Sequence, residues 1–416
     1  MAASAVDFDV RVEPAFELRH VDANADASLP PELRNSVAVS TVHDGQAIPA
    51  EFRFRSDGTP VVPPRELARQ FVQMRDWGAN VVAAELASAL GLPHYARCRL
   101  ARVLLDFNRF PGSTPAANQE PLEALAIGPI YADALLHQQK TAILDRYFDS
   151  ISAGLEQQVA DKLICITIHT YDPRHPSRTQ RADVSLISLP LSYQRESRLT
   201  YGVFDPIFPD RLVESTCSRV LRDRISLNLE RSNYRVIHNH PYPLPDGSIE
   251  LRSQIWFFFR YVRLRFVAER PETADDPAYE RVWTMLLDTN LRLAEADALR
   301  GYLHRFRRVP GTSRAALEAS VDAYHAICDY VRESRVVDAY RYSPDRPSSL
   351  GVEVRKDLVC TFDSETGWPK RPTEAQRETV RDIARAMAGA IATYFDTDRE
   401  VLIQKVLASG EAQAPY

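Results

Sequence analysis

Three short apolar segments of this chain end in side chains that can do chemistry. They are residues 37–42, 103–107 and 163–168. His43 follows the first segment and His169 follows the third, while Asn108 and Arg109 follow the second. Runs of apolar and β-branched residues without a two-residue alternation are typical of strands buried on both faces. Because ligands bind at the carboxyl ends of strands in open α/β sheets, this pattern predicts a metal site beside an anion site.

Amphipathic patterns predict helices between these segments and three later strands. The predicted helices cover residues 64–90, 130–160, 314–331 and 374–394, and the later strands cover 182–191, 234–237 and 350–355. Asp76 and Gly78 interrupt the first helix, so we also consider a helix that begins near Asp76. Strands that alternate with helices predict an α/β fold with a mostly parallel or mixed sheet.

The chain divides by composition into four segments. Residues 1–35 are a polar arm, and 36–267 form the first part of an α/β domain. Residues 268–345, rich in Ala, Leu and Arg, are predicted to be a helical insertion, and 346–416 return to the α/β domain with its last strand and a C-terminal helix.

The bulk properties exclude several classes of function. A net charge of −5 argues against a broad nucleic-acid-binding surface, and no apolar stretch is long enough for a membrane span. The five cysteines are scattered, which predicts a reducing, cytoplasmic environment. The chain has no phosphate-binding loop, dinucleotide fingerprint or Gly-x-Ser-x-Gly motif, so kinase-like, dinucleotide-dependent and serine-hydrolase functions lack support.

Six short motifs follow one another along the chain. They are residues 40–49, 76–78, 102–109, 169–173, 236–242 and 351–357. Together they resemble the N-formylglutamate amidohydrolase family, whose pattern opens with Ser-x-x-His-x-Gly-x-x-Ile-Pro and continues with Arg-x-x-x-Asp-x-Asn-Arg. The resemblance implies a three-layer α/β/α fold like that of zinc carboxypeptidases and hydrolysis of an amide next to a carboxylate.

The resemblance also implies a zinc site. A zinc ion with an open coordination position polarises a carbonyl and lowers the pKa of bound water to about 7. His43 and His169 supply two imidazole ligands, and Asp76 is the predicted carboxylate ligand, with Asp44 as the local alternative. Gln46 stands where zinc carboxypeptidases carry a ligand Glu, so that part of the analogy fails.

Catalytic roles follow for three other residues. Glu353 is the predicted general base and acid. It lies on a short apolar strand, where an unpaired carboxylate is costly, and burial near a metal would tune it to take and return a proton. Arg102 is predicted to stabilise the tetrahedral oxyanion. Asp106 is positioned to orient an arginine or a ligand imidazole. The structural alternatives are a hydrogen-bonded structural role for each histidine, a helix cap at Asp76 and an ion pair at Glu353.

The remaining site residues are predicted to hold the substrate. Asn108 and Arg109 would bind its carboxylate through a bidentate contact, and Asn239 and Tyr242 would close the substrate side. A structural salt bridge is the alternative for Arg109, and simple packing is the alternative for Tyr242.

These residues predict a zinc-dependent hydrolase that cleaves the amide of an N-acyl (N-formyl-like) amino acid or another small carboxylate-bearing amide. One alternative is a peptide- or protein-directed metallo-amidohydrolase that binds its partner through residues 268–345. Another is a non-catalytic relative that keeps only the carboxylate pocket. The helical segment is also a candidate surface for forming a homo-oligomer.

Overall fold

A mixed seven-stranded sheet forms the centre of the protein in the computed structural model. The structure describes residues 14–24, 26–115, 124–174, 178–199, 204–304, 314–364 and 367–396. The strands are β1 Phe16–His20, β2 Val37–Thr41, β3 His94–Cys98, β4 Ile164–Tyr171, β5 Val184–Ile187, β6 Val236–His238 and β7 Ser348–Arg355. Their order across the sheet is β1-β3-β2-β4-β7-β5-β6.

Strand direction determines which ends share an edge. Strands β3, β2, β4 and β7 are parallel, so their carboxyl ends lie together. β5 is antiparallel to β7 and parallel to β6, so β5 and β6 begin at the edge where β7 ends. β1 pairs with β3 in the antiparallel direction. The predicted α/β fold with a mixed sheet is therefore confirmed.

The prediction of a strand at residues 103–107 is wrong. This segment is a turn in which Leu104 and Leu105 donate their backbone N–H groups to Ala101, and its side chains are buried in the core beside the sheet. The strand of this region is β3, which lies before it. A buried segment is apolar whether it is a strand or a turn, so a short apolar run in the sequence does not distinguish a buried turn from a buried strand.

The helices are more numerous and more broken than their sequence patterns predict. They are α1 Pro31–Arg34, α2 Ala50–Arg53, α3 Pro64–Met74, α4 Ala79–Leu90, α5 Pro129–Ala132, α6 His137–Ile143, α7 Asp149–Val159, α8 Leu191–Glu196, α9 Asp210–Val213, α10 Arg219–Arg231, α11 Ile249–Glu269, α12 Pro277–Leu287, α13 Ala294–Leu303, α14 Arg314–Glu333, α15 Val336–Arg341, α16 Lys356–Val359 and α17 Glu374–Asp396. A π-helical turn, Leu144–Phe148, joins α6 to α7, and a 3₁₀ turn, Pro271–Thr273, follows α11. No helix in the described part of the chain is long and apolar enough to cross a membrane.

Helices cover the sheet on both faces. Helices α4, α10 and α17 pack on one face, against the apolar side chains of β2, β4, β5 and β7. On the other face α7 lies against β1 and β3, and α11 lies against β7. Helices α12, α14 and α15 pack against α11, and α13 packs against α12 and α14. Together they form the apolar cluster that buries residues 257–259. The division of the chain into domains stays a prediction.

Candidate active site

The two predicted imidazole ligands lie side by side at the carboxyl edge of the sheet. β2 and β4 are neighbouring parallel strands, so His43, just beyond β2, meets His169 near the end of β4. Their ring centroids are 5.0 Å apart, and both side chains are buried. The pairing of β2 with β4 thus brings together two histidines that are more than a hundred residues apart in the sequence.

Asp76 reaches both histidines from the turn between α3 and α4. Its Oδ2 lies 2.9 Å from Nδ1 of His169 and 3.4 Å from Nδ1 of His43. Its own backbone N–H donates to the carbonyl of His43. Gly78, at φ +84°, makes the turn possible, because a Cβ there would lie 2.3 Å from Cγ1 of Val359. One ligand atom from each of His43, Asp76 and His169 lies within 4.8 Å of the others.

Asp44, the alternative carboxylate, is turned away from the histidines. It accepts hydrogen bonds from Oγ1 of Thr41 at 2.7 Å and from Nε of Arg97 at 2.8 Å. The structure therefore assembles the ligand candidates around Asp76.

A second carboxylate stands behind each imidazole. Asp106 Oδ1 lies 2.8 Å from Nε2 of His43, and Glu250 Oε1 lies 3.9 Å from Nε2 of His169. Because Asp106 lies at hydrogen-bond distance from Nε2 of His43, a neutral His43 ring carries its proton there and leaves the lone pair of Nδ1 for a cation. Glu250 lies beyond hydrogen-bond distance of His169, whose Nδ1 contacts Asp76 instead. Asp106 was foreseen as an orienting residue. Glu250 was not foreseen, because a glutamate in the first turn of α11 looks like an ordinary helix-end residue.

The field of these carboxylates favours positive charge. Burial opposes ionisation of Asp76, but its contacts with His169 and His43 hold the pKa of this carboxyl well below its ordinary value. Burial also opposes ionisation of Asp106, yet the charge of Arg102 keeps its pKa well below the usual range. Burial alone would lower the pKa of His169, but Asp76 and Glu250 raise it to about 10.

The donor set fits a zinc ion. Two histidines and one carboxylate with an open fourth position are a common ligand set of catalytic zinc. Within the described residues, Nδ1 of His43 is buried and makes no hydrogen bond. A buried polar atom without a partner is costly, and a cation at this position would satisfy it.

Glu353 lies beside His169 on the neighbouring strand β7. It is paired in register with His169, and its neighbours Val352 and Val354 point into the core on the opposite face of the sheet. Burial raises the pKa of its carboxyl, and Oε2 makes no hydrogen bond within the described part of the chain. Arg355, two residues further along β7, is paired with Asp183 at 2.8 Å and not with Glu353.

Arg102 connects the two carboxylates of the site. Its Nε donates to Asp106 at 3.0 Å and its Nη1 lies 3.5 Å from Oδ1 of Asp76. The guanidinium thus fixes the relative positions of Asp76 and Asp106, in addition to the oxyanion role predicted for it.

The Asn108–Arg109 segment is buried and is held beside Asp106. Oδ1 of Asn108 accepts the backbone N–H of Ile249 at 3.3 Å, and Nη1 of Arg109 donates to the carbonyl of Asn108 at 3.0 Å. Nε of Arg109 lies 3.8 Å from Asp106. Gly247 packs so closely on this segment that a Cβ there would lie 2.6 Å from the carbonyl carbon of Arg109.

Asn239 and Tyr242, both predicted to close the substrate side, make different contacts in the structure. Asn239, at φ +53°, accepts the backbone N–H groups of Ser188 and Leu189 at 2.7 and 2.9 Å, so its oxygen fixes a turn. The chain then returns across the sheet, and the hydroxyl of Tyr242 accepts a hydrogen bond of 2.7 Å from Nη2 of Arg181. Arg181 was not foreseen, because a single arginine in a loop of an arginine-rich chain carries no local signal.

The model of the N-formylglutamate amidohydrolase family matches residues 36–254. The chain belongs to the N-formylglutamate amidohydrolase family. The family match contains the candidate residues from His43 to Tyr242, including Asp76 and His169, and ends before Glu353. Membership of the N-formylglutamate amidohydrolase family makes this protein a hydrolase of the amidohydrolase type.

Solved structures similar to this chain include a crystal structure of an N-formylglutamate amidohydrolase from Ralstonia eutropha JMP134. It is 15% identical, covers 91% of this chain and 97% of its own, and has a TM-score of 0.47. The crystal structure of a gene product from Agrobacterium tumefaciens is also 15% identical, covers 95% and 96%, and has a TM-score of 0.39. No curated protein matches the sequence.

Proposed function

We propose that this protein is a zinc-dependent hydrolase that cleaves the amide bond of an N-acyl amino acid, with an N-formyl group as the model acyl group. The observation that carries the proposal is the convergence of His43 Nδ1 and His169 Nδ1 on one carboxylate oxygen of Asp76. Membership of a family of amidohydrolases supports the reaction type.

His43, Asp76 and His169 are the residues that would hold the metal. A zinc ion bound there would act as a Lewis acid on the amide carbonyl and would acidify a water molecule. Asp106 would hold the ring of His43 in the tautomer that presents Nδ1 to the cation, and the charge of Glu250 lies 3.9 Å behind His169. Because these carboxylates are prearranged, the chain spends little reorganisation energy when the metal binds.

Glu353 is the proposed proton carrier. Its carboxylate takes a proton from water as the oxygen attacks the carbonyl carbon, and it then gives that proton to the amide nitrogen as the C–N bond breaks. The products are a carboxylate from the acyl group and a free amino acid. A raised pKa suits this residue, because a carboxyl group of ordinary acidity is a poor donor to the leaving nitrogen.

Asn108 and Arg109 are the proposed clamp for the substrate carboxylate. Arg109 is buried beside Asp106, and its guanidinium is a planar fork, which suits a carboxylate better than a point charge does. Arg102 remains the proposed stabiliser of the oxyanion, since it already lies between the two carboxylates of the metal centre.

The test begins with the purified full-length protein. We expect about one equivalent of zinc per chain by elemental analysis, and release of formate from N-formyl amino acids. Glu353→Gln should lower kcat by about 100- to 10,000-fold with its zinc content unchanged. The matched control is Glu85→Gln, which changes a half-buried glutamate of α4 and should leave kcat within about twofold.

Each outcome has a defined meaning. Zinc without turnover on any acyl amino acid, but with turnover on peptides, would favour the peptide-directed alternative. Carboxylate binding without zinc and without turnover would favour the non-catalytic alternative. Loss of zinc from Glu353→Gln would show that Glu353 is a ligand. A cytoplasmic location and assembly through residues 268–345 stay predictions.

A further inference from the structure

Arg252 is a buried arginine at the start of α11 that contacts the backbone of the proposed carboxylate clamp. The residue is 2% exposed. Its Nη2 donates to the carbonyl oxygen of Phe107 at 3.1 Å, and Phe107 directly precedes Asn108 and Arg109. We call residues 107–109 the clamp segment. Arg252 thus contacts the clamp segment from an element that lies more than a hundred residues further along the chain.

The hydrogen bond from Arg252 restrains one peptide plane of the clamp segment. The carbonyl of Phe107 and the N–H of Asn108 belong to the same planar unit. The N–H donates to Oδ1 of Asp106 at 3.0 Å, and the carbonyl accepts from Arg252. The clamp segment lies in irregular structure, so neither a strand ladder nor a helix fixes this unit. Hydrogen bonds on both sides therefore restrict its rotation, and with it the directions in which the side chains of Asn108 and Arg109 leave the backbone.

Two more contacts connect the same region with the clamp segment. Ile249 lies three residues before Arg252, on the same side of α11, and its N–H donates to Oδ1 of Asn108 at 3.3 Å. Gly247 lies so close to the backbone of Arg109 that a Cβ would be 2.6 Å from its carbonyl carbon. The start of α11 and the turn before it therefore contact every residue of the clamp segment.

The guanidinium of Arg252 is itself held in place. Its Cζ lies 4.6 Å from the ring centroid of Phe107 and 5.6 Å from that of Phe148. Its Nη1 donates to Oδ1 of Asn290 at 2.5 Å, and the same oxygen accepts from Oγ of Ser152 at 3.0 Å. Two aromatic rings and a hydrogen-bonded amide thus fix the direction in which Nη2 donates.

Burial of this charge is costly for the fold. Among the described residues no carboxylate forms an ion pair with Arg252, and its Nε is buried without a hydrogen bond. Burial lowers the pKa of the guanidinium to about 10, so the group stays charged at neutral pH. An apolar side chain of similar volume often stabilises a fold as well as a buried charge does, or better. Packing alone therefore does not require an arginine here, whereas the buried carbonyl of Phe107 does require a donor.

We propose that Arg252 is a positioning residue of the reaction, which orients Asn108 and Arg109 toward the substrate carboxylate by holding the carbonyl of Phe107. It acts through the clamp segment and not by contact with the substrate. The inference rests on the proposed amide hydrolysis and on the clamp role of Asn108 and Arg109. Misplacement of a binding group by about 1 Å is sufficient to cost about 100-fold in rate, so the loss of this contact should be measurable.

The experiment removes the donors of Arg252 and measures substrate binding and turnover separately. Arg252→Met keeps most of the length of the side chain and removes its charge. With N-formylglutamate as the probe, we expect KM to rise about 10-fold and kcat to stay within about threefold, because the metal centre and Glu353 are unchanged. Arg252→Lys keeps a donor for the carbonyl of Phe107 and should bring KM back to within about threefold of the wild type.

A double-mutant cycle distinguishes positioning from a structural role. Arg109→Met should raise KM by about 10- to 100-fold, the range for loss of a hydrogen bond to a charged group. Addition of Arg252→Met to Arg109→Met should raise KM by less than about threefold, because the guanidinium that Arg252 positions is already absent. If Arg252 only stabilises the fold, the two factors multiply.

Arg300→Met is the matched control. Arg300 is a buried arginine of α13 that donates to the carbonyl of Met285 on α12 at 3.1 Å. Its loss should leave KM and kcat within about twofold of the wild type. Zinc content and urea unfolding are measured for every variant. If Arg252→Met does not fold, Asn290→Ala supplies the test, since it removes the acceptor of Nη1 and should raise KM by a smaller factor.

Calorimetric titration with glutamate, the amino-acid product, tests the clamp without turnover. We expect Arg252→Met to raise the dissociation constant of glutamate by about 10-fold. Wild-type KM and glutamate affinity in Arg252→Met, or factors that multiply in the cycle, overturn the positioning role and leave the amide hydrolysis intact. A zinc-loaded wild-type protein that binds glutamate and releases no formate overturns the hydrolysis, and the glutamate titrations then decide the role of Arg252. A wild-type protein that neither binds glutamate nor releases formate overturns both proposals.

Discussion

Asp106 provides the sharpest test of the metal centre, because it supports the site without being a proposed ligand. Its Oδ1 accepts from Nε2 of His43 at 2.8 Å and from the backbone N–H of Asn108 at 3.0 Å, and its Oδ2 accepts from Nε of Arg102 at 3.0 Å. Asp106→Asn keeps the size of the side chain and replaces one of these oxygens with an NH₂ group. Whichever way the amide turns, one donor then faces another donor.

Two effects of known size follow from this change. Loss of the carboxylate behind a metal-binding histidine typically weakens metal affinity by 10- to 100-fold, or about 1.4 to 2.7 kcal/mol. Removal of one partner from a buried ion pair costs about 3 to 5 kcal/mol of folding free energy. We expect a value near the lower limit, about 3 kcal/mol, because Arg102 keeps Asp76 as a partner at 3.5 Å.

Asp44→Asn is the matched control. Asp44 is fully buried, follows His43 in sequence, and is paired with Arg97 and Thr41. Its loss should therefore destabilise the fold by a similar amount, about 3 kcal/mol, and leave zinc affinity within about threefold of the wild type.

The assays measure the two effects separately. Urea unfolding of the metal-free proteins gives the change in folding free energy, and competition with a chromophoric chelator under native conditions gives zinc affinity. An Asp106→Asn protein with wild-type zinc affinity would refute the orienting role of this carboxylate. Equal losses of affinity in both variants would show that general destabilisation, and not the contact with His43, controls metal binding.

Three further predictions test other parts of the structure. His43→Ala should lose stoichiometric zinc by elemental analysis, whereas His238→Ala, at the end of β6 and outside the candidate ligand set, should keep it. Gly247→Ala should lower kcat/KM by about 10- to 100-fold with zinc content unchanged, because its Cβ would lie 2.5 Å from the backbone nitrogen that follows Arg109. The control is Gly128→Ala, whose Cβ would make an ordinary contact at 3.6 Å and which should leave kcat/KM near the wild-type value. Burial raises the pKa of the Glu156 carboxyl above 4.5, its value in the unfolded chain. Ionisation of Glu156 therefore destabilises the folded protein at pH values above the raised pKa, and this cost disappears as the pH falls below 4.5. Glu156→Gln should therefore raise the urea midpoint at pH 7 and leave it unchanged at pH 4, and a midpoint that rises equally at both pH values would contradict this explanation.

The sequence predicted the strands at which His43, His169 and Glu353 lie, while the chemistry assigned to these side chains stays a proposal. These strands are internal and buried on both faces, so their composition is distinctive, and a polar side chain at the end of such a strand is conspicuous. The alternation of strands and helices was sufficient to predict an α/β fold with a mixed sheet.

The same local patterns failed where burial does not imply a strand. Residues 103–107 are as apolar as β4, yet they form a buried turn, while β3 carries polar side chains and lies inside the sheet. Hydrophobic composition indicates that a segment is buried, but the rest of the fold determines which segment its backbone hydrogen-bonds to.

By itself the amino-acid sequence determined which side chains are candidates to bind a metal and a carboxylate, and it assigned His43, His169 and Glu353 to the strands at which the structure places them. Only the tertiary structure decided that Asp76 and not Asp44 meets the histidines, and that Glu250 stands behind His169. The reason is that these contacts join residues on elements that are distant in the chain, and their distances are set by the order and direction of the strands and by the loops that cross them. Periodicity and composition describe each element alone and carry no information about those distances.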